Sequence, residues 1–310
     1  MNEKKGHNLR LHTMLLAAGV FASTTACADL PLTVEDLLTA QNRWRLELGA
    51  TYANSEKTGL QTGQSVQIQT GPAQFITLPT AVGESRTNND TLVFTPGLRY
   101  GLSADTEIYT RASWLADSSR IQDTAGTRTE SDHRFADLWT GVNHRFVREG
   151  KTPALLGFVE AALAEKSRSD TAYGKSWLLG FTAYRTLDPV VLAATAAYRI
   201  NQTRQIDGLD NKPGNFLLLN PAVNFAVNDQ VTLSTGLQWR RQEADTIGGA
   251  AQGVVATRTS LNLGLGFQWD ERTTLNFTTR ANISGSGGAE IGLVALFKLG
   301  DPPRSRTEFK

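Results

Sequence analysis

The residues of this 310-residue chain with obvious chemical potential are arginines and carboxylates placed two apart in otherwise oily stretches. Arg45 and Glu47 stand in Trp44-Arg-Leu-Glu-Leu48, and Glu107, Tyr109 and Arg111 in Thr106-Glu-Ile-Tyr-Thr-Arg111. Arg99, Glu160, Arg199, Arg240, Arg258, Arg280 and Glu290 occupy similar settings further along. Charges of both signs on neighbouring segments can pair into a ladder that stiffens a wall. A surplus of guanidinium would instead give a water path a positive field that favours anions. Both readings stay open from sequence alone.

Enzyme chemistry has little to build on. Of four histidines, only His133 and His144 follow residue 28. Asp132-His133 has the form of an acid–His pair, but His144 falls too far along the same segment to share a site with it. No serine stands in a nucleophile setting, and no His, Cys or carboxylate group has metal spacing. Gly264-Leu-Gly266 lies in strand pattern, so it is not a phosphate loop. No catalytic, cofactor or metal site is expected.

The elements that must position the charges are strands. In Asn42 to Ser55, Trp44, Leu46, Leu48, Ala50 and Tyr52 alternate with Arg43, Arg45, Glu47, Gly49 and Thr51. A period of two means extended chain with one oily and one charged face. The same alternation recurs over Thr91–Leu102, the segment after Asp105, and about Ala136–Phe146. It continues over Ala154–Ala164, the Trp177–Ala183 segment, and from Val190, Leu217, Val231, Ser260 and Leu275 onward. Ala289–Leu299 is the last. Twelve strands result, and with them an all-β, antiparallel up-and-down transmembrane barrel over 42–299. A soluble β-sandwich also alternates, but it would spread aromatics through its core.

Direction tests the barrel. If odd strands run outward, Trp44, Tyr100, Phe146, Trp269 and Phe297 gather near the periplasmic rim. Tyr52, Trp114, Trp177, Tyr198 and Trp239 gather near the outer one. Paired aromatic girdles are what lipid interfaces select. Tight turns such as Ser103-Ala-Asp105, Arg148–Lys151, Asn228-Asp229 and Asp270-Glu-Arg272 fall at one end. Long connections, about 54–90, 116–135, 165–175, 202–215, 242–257 and 283–287, fall at the other. In the longest, Ser65–Gln69 and Gln74–Leu78 pattern as a small hairpin, standing above the membrane or folded into the pore.

The front of the chain reads as a leader. Lys4, Lys5 and Arg10 precede an apolar run, Met14 to Ala22, and Ala26-Cys-Ala28 suits cleavage after Ala28. A lipoprotein site at Cys27 would want Leu where Thr24 stands. The chain has 31 basic and 30 acidic residues, of which the leader holds Lys4, Lys5, Arg10 and Glu3, so the remainder carries 28 and 29. It also loses the single cysteine, which suits an oxidising compartment with no disulfide. A near-neutral chain is not built to displace the counterions of nucleic acid. A mean hydropathy of -0.27 and the lack of a long apolar run exclude transmembrane helices.

Residues 29–41 are expected to hold a short helix at the periplasmic mouth, capped by Thr33 with Asp36, a possible plug. Residues 300–310 are expected to form a polar, disordered tail. Glu290-x-Gly292-x-x-Ala295-x-Phe297 fits the C-terminal signal read by barrel-assembly machinery. Other expected partners are outer-membrane lipid and lipopolysaccharide, a small-molecule or peptide cargo, and further copies of the chain.

Leu30–Leu38 running into Arg43–Leu48 and Tyr52–Ser55, and Leu92–Leu102 followed by Asp105–Tyr109, resemble one family. They are similar to the outer-membrane transporters grouped under the meta-pathway of phenol degradation, themselves similar to the barrels of functional-amyloid exporters. The resemblance implies a bacterial outer-membrane channel for small solutes. The alternatives are an exporter for a secreted peptide or amyloid-like protein, and a barrel-borne surface enzyme.

Overall fold

The computed structural model describes residues 38–62, 65–78, 82–123, 126–167, 170–284 and 288–300. Strands dominate them: β1 (Trp44–Thr62), β2 (Val66–Gln69), β3 (Phe75–Leu78), β4 (Val82–Gly101), β5 (Thr106–Asp123), β6 (Gly126–Val147) and β7 (Ala154–Lys166). After these come β8 (Thr171–Ala172), β9 (Ser176–Leu187), β10 (Val190–Asn201), β11 (Arg204–Ile206), β12 (Leu209–Lys212) and β13 (Phe216–Ala226). The remainder are β14 (Val231–Gln242), β15 (Asp245–Ile247), β16 (Ala250–Gln252), β17 (Ala256–Gln268), β18 (Thr273–Ser284) and β19 (Ala289–Leu299).

Twelve of them close into one antiparallel barrel in the order β6-β5-β4-β1-β19-β18-β17-β14-β13-β10-β9-β7, with β7 returning to β6. Closure leaves no sheet edge, which is what a wall in hydrocarbon requires. First and last strands meet in unbroken register from Trp44↔Leu299 to Asn54↔Ala289. Pairing is so local because consecutive strands are joined by short turns at one rim. At Asp270, for instance, the carboxylate accepts from the backbone N–H groups of Arg272 and Thr273, each at 2.7 Å.

The alternation sorts as the residues dictate. Leu92, Phe94, Trp114, Val159, Phe181, Leu233, Leu263 and Leu293 point outward and lie exposed. Thr91, Val93, Glu107, Ser113, Glu160, Ser176 and Arg199 are buried on the inner face. A water-soluble protein would not leave such a continuous apolar surface uncovered. The rings of Trp44 and Tyr100 meet at 4.6 Å, tilted by 42°, on the turn rim, where Phe146 and Trp269 are also exposed. Tyr52, Trp114 and Trp177 ring the other end. Eight residues separate Trp44 from Tyr52, or about 26 Å of strand.

Several connections expected to be loops are strand instead. β1 continues to Thr62 and pairs with β4 up to Val82, and β5 pairs with β6 out to Asp123↔Gly126. The segments 202–215 and 242–257 fold into hairpins β11–β12 and β15–β16, which join edge to edge through Asn211↔Ile247. Their tips use Asp207-Gly208 (φ 50 and 76) and Gly248-Gly249 (φ 58 and 82), the left-handed pairs that two-residue hairpins demand. The helix expected within 29–41 falls mainly on residues outside those described. Leu38 to Arg43 is not helical: it forms a bend, an isolated bridge from Gln41 to Gly101 and a turn. The leader and the tail after Gly300 also lie outside the described residues.

Candidate functional site

The candidate site is the barrel interior, and two pieces of chain occupy part of it. The first is the hairpin β2–β3, paired Val66↔Leu78 to Gln69↔Phe75. Of the two placements open from sequence, the structure takes the inward one. Ile68 and Ile76 pack with Ala53, Val93, Leu115 and Ala136 of β1, β4, β5 and β6. Phe75 and Ala73 pack with Trp139, Ala162, Leu178, Ala197, Phe216 and Leu218 of β6, β7, β9, β10 and β13. Phe75 meets Phe216 edge-on at 5.0 Å. Burying these apolar groups against an otherwise polar lining is what draws the hairpin in. Its root is tied by Asp245, which accepts from Ser65 N at 2.8 Å and Ser65 Oγ at 2.7 Å while taking Gly214 N at 2.8 Å.

The second piece is Leu38–Gln41 at the turn rim. Leu38 packs with Ala154, Leu156 and Tyr184, and Thr39 N donates to Glu107 Oε2 at 2.7 Å. Gly101 permits this approach, since a Cβ there would stand 2.2 Å from Ala40 O.

The charged residues singled out in the sequence all lie on the inner face, and most of them pair. Arg99 bridges Glu47 (2.6 Å) and Glu107 (2.7 Å) across β1, β4 and β5. Asn143 also donates to Glu107, at 2.6 Å. Glu160 takes Tyr109 Oη at 2.8 Å and Arg111 Nη2 at 3.1 Å. Arg45 donates to Leu38 O at 3.3 Å. Arg199 reaches Glu165 at 2.7 Å and Phe75 O at 3.2 Å, so it holds plug and wall together. Arg280 pairs with Glu290 and donates to Asn262 at 2.9 Å. Arg258 is half-buried on β17 beside Arg240 of β14.

Sequence reading passed over several interior residues. Glu165 accepts from Arg204 (2.9 Å) as well as Arg199, and Asp137 takes the Trp139 indole N–H at 3.0 Å. Trp139 lies beneath the guanidinium of Arg199 at 4.8 Å and that of Arg111 at 5.2 Å. A cavity of about 60 Å³ lies between the hairpin and the wall, bordered by Ser65, Thr77, Asp137, Glu165, Arg204 and Asp245. Asp132 pairs with Arg134, and His144 meets Thr106 Oγ1 at 2.9 Å far down β6. Asp132 and His133 are consecutive residues of β6, so their side chains point to opposite faces of the strand.

The filling is one-sided. Inner residues of β5–β7, β9 and β10 are mostly buried, whereas Arg258, Asn262, Asn276, Arg280 and Glu290 on β17–β19 are half-buried and Thr278 is exposed. Along that side the interior keeps a polar surface that the hairpin does not cover.

Together the wall and its contents define a membrane-spanning β-barrel with an apolar outside and a polar, partly filled inside. Among solved structures the chain is similar to the COG4313 outer membrane channel from Pseudomonas putida F1. There the TM-score is 0.54 at 11% identity, over 84% of this chain and 97% of that chain. It is also similar to the translocator domain of autotransporter NalP from Neisseria meningitidis, with TM-score 0.50 and 10% identity over 86% and 92%. At these identities the likeness is one of fold. No family model and no curated protein matches the sequence.

Proposed function

We propose that this chain is a channel of the bacterial outer membrane that passes small solutes along the uncovered inner face of β17–β19. The observation that carries the reading is that one-sided filling: a closed wall, a hairpin packed on one half of the interior, and polar residues that keep part of their surface open on the other. The pore-lining set is then Arg45, Glu47, Arg99, Glu107, Tyr109, Arg111, Glu160, Arg199, Arg240, Arg258, Arg280 and Glu290. Its paired members stiffen the wall, and its surplus arginine sets the field. The resemblance to phenol meta-pathway transporters and the described outer-membrane channel neighbour both support the location. Export of a peptide or amyloid-like protein would need a wider path than the hairpin and Leu38–Gln41 leave open.

Liposome swelling tests this. Vesicles carrying the purified protein should swell in small sugars or amino acids, and progressively less as solute size rises. Swelling no faster than in protein-free vesicles, for every solute, would remove the channel reading.

A further inference from the structure

Among the described residues, Arg240 is a buried interior charge with no ion-pair partner. The residue is 6% exposed, and its guanidinium lies 5.7 Å from the rings of both Phe75 and Phe216. Among the described residues no carboxylate lies within ion-pair distance of it and no acceptor takes its N–H groups. The carboxylate acting on it, Glu290, is already engaged with Arg280. The charges acting on Arg240 are Arg258, then Glu290, Arg280 and Arg199, three of the four of its own sign. An arginine cannot shed its proton to escape burial, so an unpaired one calls for a counter-ion.

The same face of β14 carries further unspent groups. Gln242, 3% exposed, has an amide nitrogen with no acceptor, and Gln238, 5% exposed, has an amide oxygen with no donor. Both lie two residues from Arg240, hence on its side of the strand. Across the ladder Arg240 sits directly opposite Arg258. Donors thus converge beneath the tip of the plug hairpin, on the boundary between the filled and the half-open halves of the interior.

We propose that Arg240, with Gln242 and the neighbouring Arg258, forms a binding site for the oxyanion head of a small solute, a carboxylate or a phosphate. A planar fork of N–H donors matches either group bidentately. Because Arg240 also faces Phe75 of the hairpin, an anion seated there touches the plug as well as the wall. The inference deepens the channel reading, on which it rests for the solute's route inward.

The test is calorimetric titration of the full chain in detergent micelles at low ionic strength, once with sodium phosphate and once with sodium succinate. Saturable binding is expected, weakened at least tenfold in Arg240→Gln and unchanged in Arg241→Gln, which removes the same charge from the outward, exposed neighbour. Binding of one anion alone supports the site and tells phosphate from carboxylate. Heat-modifiable migration on gels establishes that each variant is folded. No saturable heat from the wild type, or equal affinity in Arg240→Gln, would overturn the proposal. Binding that persists in a protein that fails the swelling assay would leave the site standing and remove the channel.

Discussion

Asp105 shows how a single side chain fixes the turn rim. It sits in the connection between β4 and β5 and accepts from Arg148 through Nη2 at 2.7 Å and from Arg145 through Nε at 2.8 Å. Those two guanidiniums, Arg148 first, hold its pKa at about 2 against an ordinary 3.8. A carboxylate with a depressed folded-state value stabilises the fold fully above its ordinary value and loses that contribution as pH falls through the folded one. The window here is pH 3.8 down to about 2. In wild type the thermal midpoint should fall more steeply across that window than in Asp105→Asn, measured by the heat-modifiable gel shift. Parallel curves would show that the contact is too exposed to matter. Which arginine pairs with which carboxylate was not legible in the sequence. The inward set follows from alternation, but the pairing depends on a register that only the assembled ladder supplies. Arg240 looked like Arg99 until every neighbour was placed.

At the scale of elements, hairpin β2–β3 separates a filled lumen from an open one, and Asp245 holds its root. Hydrogen bonds to a charged group contribute about 1.5–3 kcal/mol each. Losing even one such contact should raise the undocked population roughly tenfold or more. Asp245→Ala is therefore expected to speed swelling of reconstituted vesicles by small sugars, and Asp245→Glu to do so less. An unchanged rate in Asp245→Ala would mean the tie is not limiting. The membrane part of each strand was readable because lipid on one face and water on the other impose a period of two. The last strand begins and ends where the alternation places it, at Ala289 and Leu299. Farther out both faces carry polar residues, so Ser55-Glu56 and Asn88-Asn89-Asp90 lose that signature although β1 and β4 continue through them. Asp207-Gly208 and Gly248-Gly249 were the surviving signals for β11–β12 and β15–β16. β7 alternates poorly because its inner face is itself apolar where Ala154, Leu156 and Ala162 pack on the chain that fills the barrel.

For the whole molecule, the apolar surface has to face hydrocarbon. Leu263 lies midway along β17, outward and 47% exposed. Leu263→Arg should destabilise the inserted barrel by about 2–4 kcal/mol, as arginine does at the bilayer midplane. Leu263→Ala, which keeps the position apolar, should cost much less. Equilibrium unfolding from lipid vesicles separates the two, and equal stabilities would count against lipid contact at this face. A closed wall around a one-sided filling makes a stronger demand still. Single-channel current across a planar bilayer should appear as small, discrete steps for the full chain. When residues 65–78 are replaced by a short Gly-Ser linker, the steps should grow several-fold, because the half of the interior now occupied by Phe75 and Ile76 becomes water. Steps of the same size in both proteins, or none in either, would contradict the account.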